Sequence, residues 1–343
     1  MLIIPVYVVF CQQNHKNDKH QKTIITTTQM LEDAVRHLIG DVDKKEQKEG
    51  IQYTKIDSIL CQKSLMGMGI DPHNYKAKLS DRTKIKEADL VITNGLHLEA
   101  QMAEAFKLLK KEECVWEAGD QSLDAEDKIK DEFTDDCDPH IWFGIDLWKK
   151  VVSKLKDKLD SMIFFQKEKE YLNQNHKSFE KTLDELQKHI KKELKALKEK
   201  KNEGEKLIIV TAHDAFSYWE KSFSKDTNCS FELKSIQGIS TQTEANIKTI
   251  IELADELVQN NVKAIFTESS MPKDSLESLR DQVNQFRRAK NLDPIKIPED
   301  GELYSDSLGS ENKKESFEGC EFKHSTYVGA FLNNMKVIKE NLL

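Results

Sequence analysis

The chain has 343 residues, of which 38% are hydrophobic and 33% are charged, and its formal net charge is -8 at pH 7. This length suggests two domains of ordinary size, each able to bury its own core. The acidic balance lacks the clustered Lys and Arg of a nucleic-acid-binding surface, so we expect no nucleic-acid partner. The sequence holds no run of about 18 apolar residues, so it predicts no membrane-spanning helix.

The first ten residues, MLIIPVYVVF, are almost wholly apolar, and Cys11 and a polar stretch follow them. This order resembles the tail of a secretory signal that ends at a lipidated cysteine, so we expect residues 1–22 to form a signal tail and a polar linker. Two features depart from such a signal: a basic start is missing, and Phe10 stands where a small residue is usual. The alternative is a buried first strand.

The next hundred residues alternate between strand and helix patterns. The β-branched run at 22–27 predicts a strand, and apolar residues from Leu31 to Ile39 predict a helix that stops at Gly40. LVIT at 90–93 predicts a buried strand. Further predictions are a helix from Ser80 or Asp81 to Ala88, a helix from His97 to Leu109 and a strand over 114–117. This alternation indicates a mostly parallel sheet.

The middle of the chain is highly charged. The acidic stretch at 124–138 is interpreted as a solvated loop, or alternatively as a mild electrostatic attraction for cations. A helix is predicted over 144–160. Residues 167–201 carry a regular apolar stripe between Lys and Glu residues, without Gly or Pro, which predicts one long amphipathic helix. At about 1.5 Å per residue it extends on the order of 50 Å, enough for a strut across two lobes or for a coiled-coil arm.

The alternation of strand and helix resumes after Gly204. The predicted strands are 207–211 and 264–268. The predicted helices are 214–222, 243–260 with Thr241 or Thr243 as cap, 273–289 and 326–342. We therefore predict an α/β fold of two lobes, each a mostly parallel sheet flanked by helices, which one long helix joins.

The predicted boundaries place the N-terminal lobe at 23–165, the linking helix at 166–203 and the C-terminal lobe at 204–343. A ligand site in the cleft between the lobes follows from this arrangement, because open α/β sheets place their ligands in loops at strand ends.

Three of the ten histidines lie in short loops beside predicted strands or helices. His73 and His140 each follow Asp-Pro, and His213 lies in the motif TAHDAF. Proline fixes the backbone before the histidine and so favours one direction of the ring. We interpret five others as ordinary surface or boundary residues: His15, His20, His37, His176 and His189.

A fourth candidate ligand is Asp306, in the motif LYSDSLG. Imidazole and carboxylate together suit zinc, manganese or iron. The six cysteines include no CxxC pair, so a thiolate zinc site of the usual spacing is not predicted, and a disulfide cannot be assigned. The four candidates are too far apart in the chain for one helix or hairpin, and this separation fits a site assembled between two lobes.

Several motifs occur in a fixed order along the chain. They are LMGMGIDPHNYKAKLSD, ADLVITNGLHLE, DPHIWFGIDLW, VTAHDAFSYW, IQGISTQTEA, AIFTESS and LYSDSLG. The ordered set resembles the metal-binding solute-binding proteins of zinc and manganese ABC importers, over residues 23–342. Two features depart from the family: Gly144 stands where many relatives have Asp, and the text at 309–324 is unusual.

The resemblance implies ligands for one divalent transition-metal ion. His73 and His140 would bind it from the first lobe, and His213 and Asp306 from the second. Glu268 would hold a ligand by a hydrogen bond, or alternatively serve as a buried structural acid. His97 is interpreted as a cleft or structural residue. The three histidines favour Zn²⁺, with Mn²⁺ or Fe²⁺ as alternatives.

The function that this resemblance implies is capture of the ion and its delivery to the permease of an ABC importer, without catalysis. We expect a monomer on the periplasmic or extracellular face of the membrane, with attachment through Cys11. Two alternatives are a metal-dependent hydrolase, for which Glu268 and Asp214 are the best candidate bases, and an adhesin-like surface protein that uses the long helix as an arm.

Overall fold

The computed structural model describes residues 21–342 apart from residues 49, 108–113, 132–134, 201–206, 228, 230, 243–245 and 300. Cys11 and almost all of the predicted signal tail lie outside the described residues, as do Leu109 and Thr243. Among the helices that are described, none combines the length and the apolar character needed to cross a membrane.

Strands and helices alternate along the described chain. The helices are α1 (Gln29–Leu38), α2 (Leu79–Glu87), α3 (Ala103–Phe106), α4 (Ala118–Ser122), α5 (Ile145–Asp160), α6 (Gln166–Lys200), α7 (Ser217–Thr227), α8 (Ile247–Gln259), α9 (Asp274–Ala289) and α10 (Tyr327–Asn341). The strands are β1 (Lys22–Thr26), β2 (Ile59–Cys61), β3 (Leu90–Thr93), β4 (Val115–Glu117), β5 (Ile208–His213), β6 (Glu232–Gln237), β7 (Thr267–Glu268), β8 (Glu302–Leu303), β9 (Lys314–Phe317) and β10 (Cys320–Lys323).

The strands before α6 form one parallel sheet in the order β2-β1-β3-β4. In the register of its two central strands, Ile24 lies opposite Leu90 and Ile25 lies opposite Val91. All four residues of β3 are buried, because helices cover both faces of a parallel sheet. The predicted strand at 90–93 is confirmed.

The strands after α6 form parallel pairs, β5 with β6 and β7 with β8. The Phe266 amide donates to the Val210 carbonyl at 2.8 Å and joins the pairs. The strand predicted over 264–268 is shorter than expected, because Ala264 makes a single isolated bridge to Lys296 and regular pairing begins at Thr267. The unusual text at 309–324 includes the antiparallel hairpin of β9 and β10.

The long helix α6 is a strut inside the molecule. Its apolar stripe is wholly buried and comprises Leu172, Phe179, Leu183, Leu186, Ile190, Leu194 and Leu197. The helix packs against α1 and α5 from the earlier part of the chain, and also against α7 and α10 from the later part. Because this stripe is already covered by the same chain, the interpretation of α6 as a coiled-coil arm is wrong.

Three predicted helix starts are wrong. α2 begins one residue before Ser80, and Asp81 lies inside the first turn, where it accepts the Lys78 amide hydrogen at 2.9 Å. α8 begins after Asn246, whose side chain accepts the Lys248 amide hydrogen at 2.9 Å, so Thr241 is not its cap. α7 begins at Ser217 rather than at 214.

The helix predicted from His97 to Leu109 is replaced by a tight turn and a short helix. Leu96 and His97 have φ values of 51° and 63°, in the left-handed region that an α-helix cannot use. The turn forms because the buried Glu99 carboxylate accepts the amide hydrogen of Asn94 at 2.7 Å. Regular helix then begins only at Ala103.

His37 was interpreted as a surface or boundary residue, and this is wrong. Its ring is buried and stacks on Phe179 of α6, with ring centroids 4.0 Å apart. Four cysteines of the described chain are free thiols: Cys61, Cys114, Cys137 and Cys320. The lobe boundaries at 23–165, 166–203 and 204–343 stay a prediction.

Asn175 ties α6 to the N-terminal part of the chain. Its fully buried side chain accepts the Thr54 amide hydrogen at 2.8 Å and donates to the Leu38 and Thr54 carbonyls at 3.0 and 2.8 Å. We predict that Asn175→Ala lowers the free energy of unfolding by roughly 2–4 kcal/mol, because it leaves several buried backbone polar groups without hydrogen-bond partners. Urea denaturation of the metal-free protein measures this loss.

Gln187→Ala is the matched control on the same helix. Gln187 contacts the exposed Asp146 side chain at 2.6 Å, so its loss should change stability by no more than about 0.5 kcal/mol. Equal effects of the two substitutions would show that Asn175 does not anchor the helix.

Candidate metal centre

Four buried side chains from distant parts of the chain converge at one point. His73 lies in the segment between β2 and α2, and His140 lies just before α5. His213 is the last residue of β5 rather than a loop residue, and Asp306 follows β8. Each residue is at most 2% exposed, and one potential ligand atom from each lies within 4.8 Å of all the others. The structure thus brings all four candidate ligands together.

The closest contacts are between imidazole Nε2 atoms. His140 Nε2 lies 3.3 Å from His73 Nε2 and 3.2 Å from His213 Nε2. Asp306 Oδ1 lies 3.3 Å from His140 Nε2, and Asp306 Oδ2 lies 3.3 Å from His213 Nε2. Ligands about 2.0–2.1 Å from a tetrahedral zinc ion would be separated by about 3.3 Å, so these distances fit the edges of such a site.

Two buried carboxylates orient two of the imidazole rings. His140 Nδ1 lies 2.7 Å from Asp138 Oδ1, and His213 Nδ1 lies 2.7 Å from Glu268 Oε2. Glu268 Oε1 also accepts the amide hydrogens of Ala212 and His213, at 2.7 and 3.0 Å. A carboxylate on Nδ1 leaves Nε2 directed at the cluster, as in carboxylate–histidine–metal arrangements.

Asp138 is the functional residue that the sequence analysis missed. It ends the acidic stretch that was interpreted as a solvated loop, yet it is fully buried. Its Oδ1 accepts the His140 amide hydrogen at 2.9 Å and also lies 2.7 Å from Nδ1 of the His140 ring. The signal was present in the motif Asp-Pro-His, where the acid stands two residues before the histidine.

The other Asp-Pro-His motif is used differently. Asp71 Oδ1 accepts the His73 amide hydrogen at 2.8 Å, as Asp138 does for His140. Its Oδ2, however, accepts the Thr241 hydroxyl hydrogen at 2.7 Å, from the part of the chain after α6. The same motif therefore orients a ring in one case and joins two parts of the fold in the other.

Burial and neighbouring charges separate the pKa values of the cluster. Burial lowers the pKa of His73 to about 3, although Asp306 opposes this effect. Burial would also lower the pKa of His140, but Asp138 and Asp306 raise it to about 9. The pKa of His213 is raised well above its usual value against the effect of burial, by Glu268 and Asp306.

The pKa of Asp306 is held well below its usual range in spite of burial, because His213 and His140 lie beside it. In the metal-free protein near neutral pH, His73 is therefore neutral, whereas the carboxylates beside His140 and His213 favour the positively charged form of those rings. A metal ion that binds the three Nε2 atoms has to displace any proton held there.

His97 does not join the cluster. Its side chain is 88% exposed and lies 3.8 Å from Asp136 at the surface. The expectation that it is a cleft or structural residue is not supported by this exposure. Asp214, the neighbour of His213, accepts the Ser217 hydroxyl hydrogen at 3.0 Å. Burial raises the pKa of Asp214, and the nearby charge of Asp138 raises it further.

Residues 24–341 match the protein family described as "ZnuA: Zinc-uptake complex component A periplasmic". The chain is similar to the zinc-binding protein TroA of Treponema pallidum, with 31% identity over 316 residues that cover 92% of this chain and 87% of that protein. It is also similar to the manganese-binding lipoprotein MntA of Bacillus subtilis, with 28% identity over 330 residues that cover 95% and 92% of the two chains.

The fold agrees with these similarities. The solved structure of the periplasmic zinc-binding protein TroA superposes with a TM-score of 0.76 at 30% identity, covering 94% of this chain and 99% of that one. A structure of YtgA from Chlamydia trachomatis superposes with a TM-score of 0.71 at 21% identity, covering 94% and 99%. The predicted α/β class with a long central helix is confirmed.

We predict that the metal-free protein loses stability as pH rises from about 6.5 to about 9. The pKa of His140 is about 9 in the folded protein, against about 6.5 in the unfolded chain. Its proton therefore stabilises the fold fully below about pH 6.5, and this contribution is lost as the pH rises through about 9. Urea denaturation in the presence of a chelator, at several pH values, measures the loss.

Asp138→Asn should make this loss smaller, because it removes the charge that raises the pKa of His140. The control is Asp157→Asn, at a side chain that is 67% exposed near the end of α5. If Asp138→Asn and the control gave the same dependence on pH, Asp138 would not be the group that holds the His140 proton.

Proposed function

Because the chain belongs to the ZnuA family of periplasmic zinc-uptake components, we propose that it captures one divalent transition-metal ion outside the cytoplasm and delivers it to the permease of an ABC importer. The function is binding and release rather than the breaking of a bond. The curated relatives named above are a zinc-binding protein and a manganese-binding lipoprotein, and the chain covers most of the length of each.

The observation that carries this proposal is the convergence of four buried ligand atoms within 4.8 Å of one another. We propose that His73, His140, His213 and Asp306 are the ligands. With three neutral imidazoles and one carboxylate, a bound divalent ion has a net charge near +1 inside a buried site. The carboxylates of Asp138 and Glu268 lie against the rings of His140 and His213 and offset that charge.

The proposed cargo is Zn²⁺, with Mn²⁺ and Fe²⁺ as alternatives. Imidazole suits zinc, and the spacing of the Nε2 atoms fits a tetrahedral ion. Most sites of this kind bind zinc more tightly than manganese whichever ion is carried in the cell. The ion that is transported therefore has to be identified by competition at cellular concentrations rather than by affinity alone.

The membrane-bound partner and the location are part of the same proposal. We propose that the protein works as a monomer on the periplasmic or extracellular face of the membrane, with Cys11 as the point of lipid attachment. A manganese ABC transporter lipoprotein of Streptococcus mitis, PsaA, is 25% identical over 332 residues, which supports a lipid-anchored carrier that serves a permease.

Neither alternative function gains support from the comparisons. A hydrolase would need a free general base beside the metal, and Glu268, the leading candidate, is already committed to the His213 ring and to two backbone amides. An adhesin that used α6 as an arm would need its apolar stripe exposed, whereas that stripe is buried.

We predict about one bound metal ion per chain, measured by mass spectrometry of the purified protein and by zinc and manganese titration. His140→Ala should weaken zinc binding by more than the roughly 10–100-fold that loss of an outer-sphere partner costs, because it removes a central ligand. His97→Ala is the matched control, since His97 is exposed and lies outside the cluster. If the protein bound no ion at all, the capture function would be refuted.

Delivery is tested separately from capture, by measuring cellular metal content. Deleting the gene should lower the content of the transported metal when that metal is scarce, and the wild-type gene should restore it. The gene for His140→Ala should fail to restore it, while the gene for His97→Ala should succeed. Restoration by both variants would show that uptake does not depend on this site.

A further inference from the structure

The segments that carry His140 and His73 are held in place by different kinds of contact. The His140 segment is anchored in the core: the Trp142 indole donates to the Ser305 carbonyl at 2.9 Å, and the Tyr327 hydroxyl donates to the Trp142 carbonyl at 2.6 Å. Phe143 packs on Phe216 with ring centroids 4.5 Å apart. Moving this segment would expose large aromatic side chains, so it is a fixed part of the site.

The His73 segment meets the chain beyond α6 through polar side chains, among which Thr241 is buried. The Thr241 hydroxyl donates to Asp71 Oδ2 at 2.7 Å. The Asn74 amide donates to the Thr241 hydroxyl oxygen at 3.0 Å and to its carbonyl at 3.2 Å. The Gln242 amide donates to the His73 carbonyl at 3.3 Å. Asn74 and Gln242 are exposed, so water can replace the hydrogen bonds that these two side chains donate.

These contacts restrain the backbone of His73 on both sides. Its amide hydrogen is accepted by Asp71 Oδ1 at 2.8 Å, while Asp71 Oδ2 is held by Thr241. Its carbonyl is held by Gln242. The position of the His73 ring, whose Nε2 lies 3.3 Å from His140 Nε2, therefore depends on groups in the other half of the molecule.

We propose that Asp71, Asn74, Thr241 and Gln242 form a latch that holds His73 against the bound ion, and that opening of this latch sets the rate at which the ion leaves. The proposal rests on the metal-capture function proposed above. These four are positioning residues, because they touch the ligand histidine or its neighbours and not the ion. His140, His213 and Asp306 stay in place when the latch opens.

The central test is Thr241→Val, which keeps the shape of the side chain and removes its hydroxyl. Loss of a hydrogen bond to a carboxylate should make zinc dissociation about tenfold faster. The rate is measured by stopped-flow transfer of Zn²⁺ from the loaded protein to a fluorescent chelator. Thr83→Val is the matched control, because the Thr83 hydroxyl donates to the Leu79 carbonyl of its own helix at 3.3 Å.

Two further measurements separate a latch from a change in the site itself. The absorption spectrum of bound Co²⁺ should be the same in Thr241→Val and in the wild type, because the ligand set is unchanged. The double variant Thr241→Val/Asn74→Ala should release zinc little faster than Thr241→Val alone, because the two residues act in one hydrogen-bonded unit. If Thr241→Val failed to fold, the exposed Asn74→Ala would carry the kinetic test.

An unchanged rate of zinc release from Thr241→Val would overturn the latch and leave the capture function intact. A changed Co²⁺ spectrum or a lower stoichiometry would also overturn it, because Thr241 would then shape the ligand set. Absence of zinc and cobalt binding by the wild-type protein would overturn both the latch and the proposed function.

Discussion

The structure depends on one constraint: three imidazole nitrogens and one carboxylate group, from four distant segments, have to meet at a buried point. A flexible chain cannot hold such groups together, because burying polar imidazoles and a charged carboxylate without partners costs free energy. The parallel sheets supply rigid ends from which the segments start, and α6 fixes the two halves relative to each other by burying its apolar stripe between them. The outer carboxylates Asp138 and Glu268 then fix which nitrogen faces inward.

The three histidines are therefore not equivalent. His140 and His213 are each held by a buried carboxylate in a rigid part of the core. His73 has a lowered pKa and is neutral, and polar side chains join its segment to the other half. The proposed latch would give a carrier fixed ligands and one movable ligand, so that its site could bind tightly and also empty.

Much of this could be predicted from the sequence, for physical reasons. The strand at 90–93 and the helix α6 were predicted because their apolar patterns are long and uninterrupted, and burial follows directly from such patterns. The Asp-Pro-His motifs indicated His73 and His140, because ligands in α/β folds lie in short loops between elements. The predictions agree with the structure where a local sequence pattern alone determines the local structure.

The errors occurred where a contact between particular side chains in the folded protein decides the local structure. The turn at Asn94 forms because the buried Glu99 side chain accepts the Asn94 amide hydrogen. This turn stands where the start of a helix was predicted. Asp138 looked like one more acid in a solvated stretch, and only the position of the His140 ring shows why it is buried. His37 is buried because Phe179, far away in the chain, covers its ring. Patterns of apolar and charged residues do not record which side chains meet in this way.

The wide separation of His73 and Asp306 along the chain has a consequence for the life of the protein. The centre cannot exist on a growing chain until the last quarter of the sequence has been made and both halves have folded, because a preformed site is absent from an unfolded chain. The first ion to fill it is therefore taken from the compartment in which folding is completed. Selection of the metal would then depend on where the chain folds as well as on what the four proposed ligands prefer.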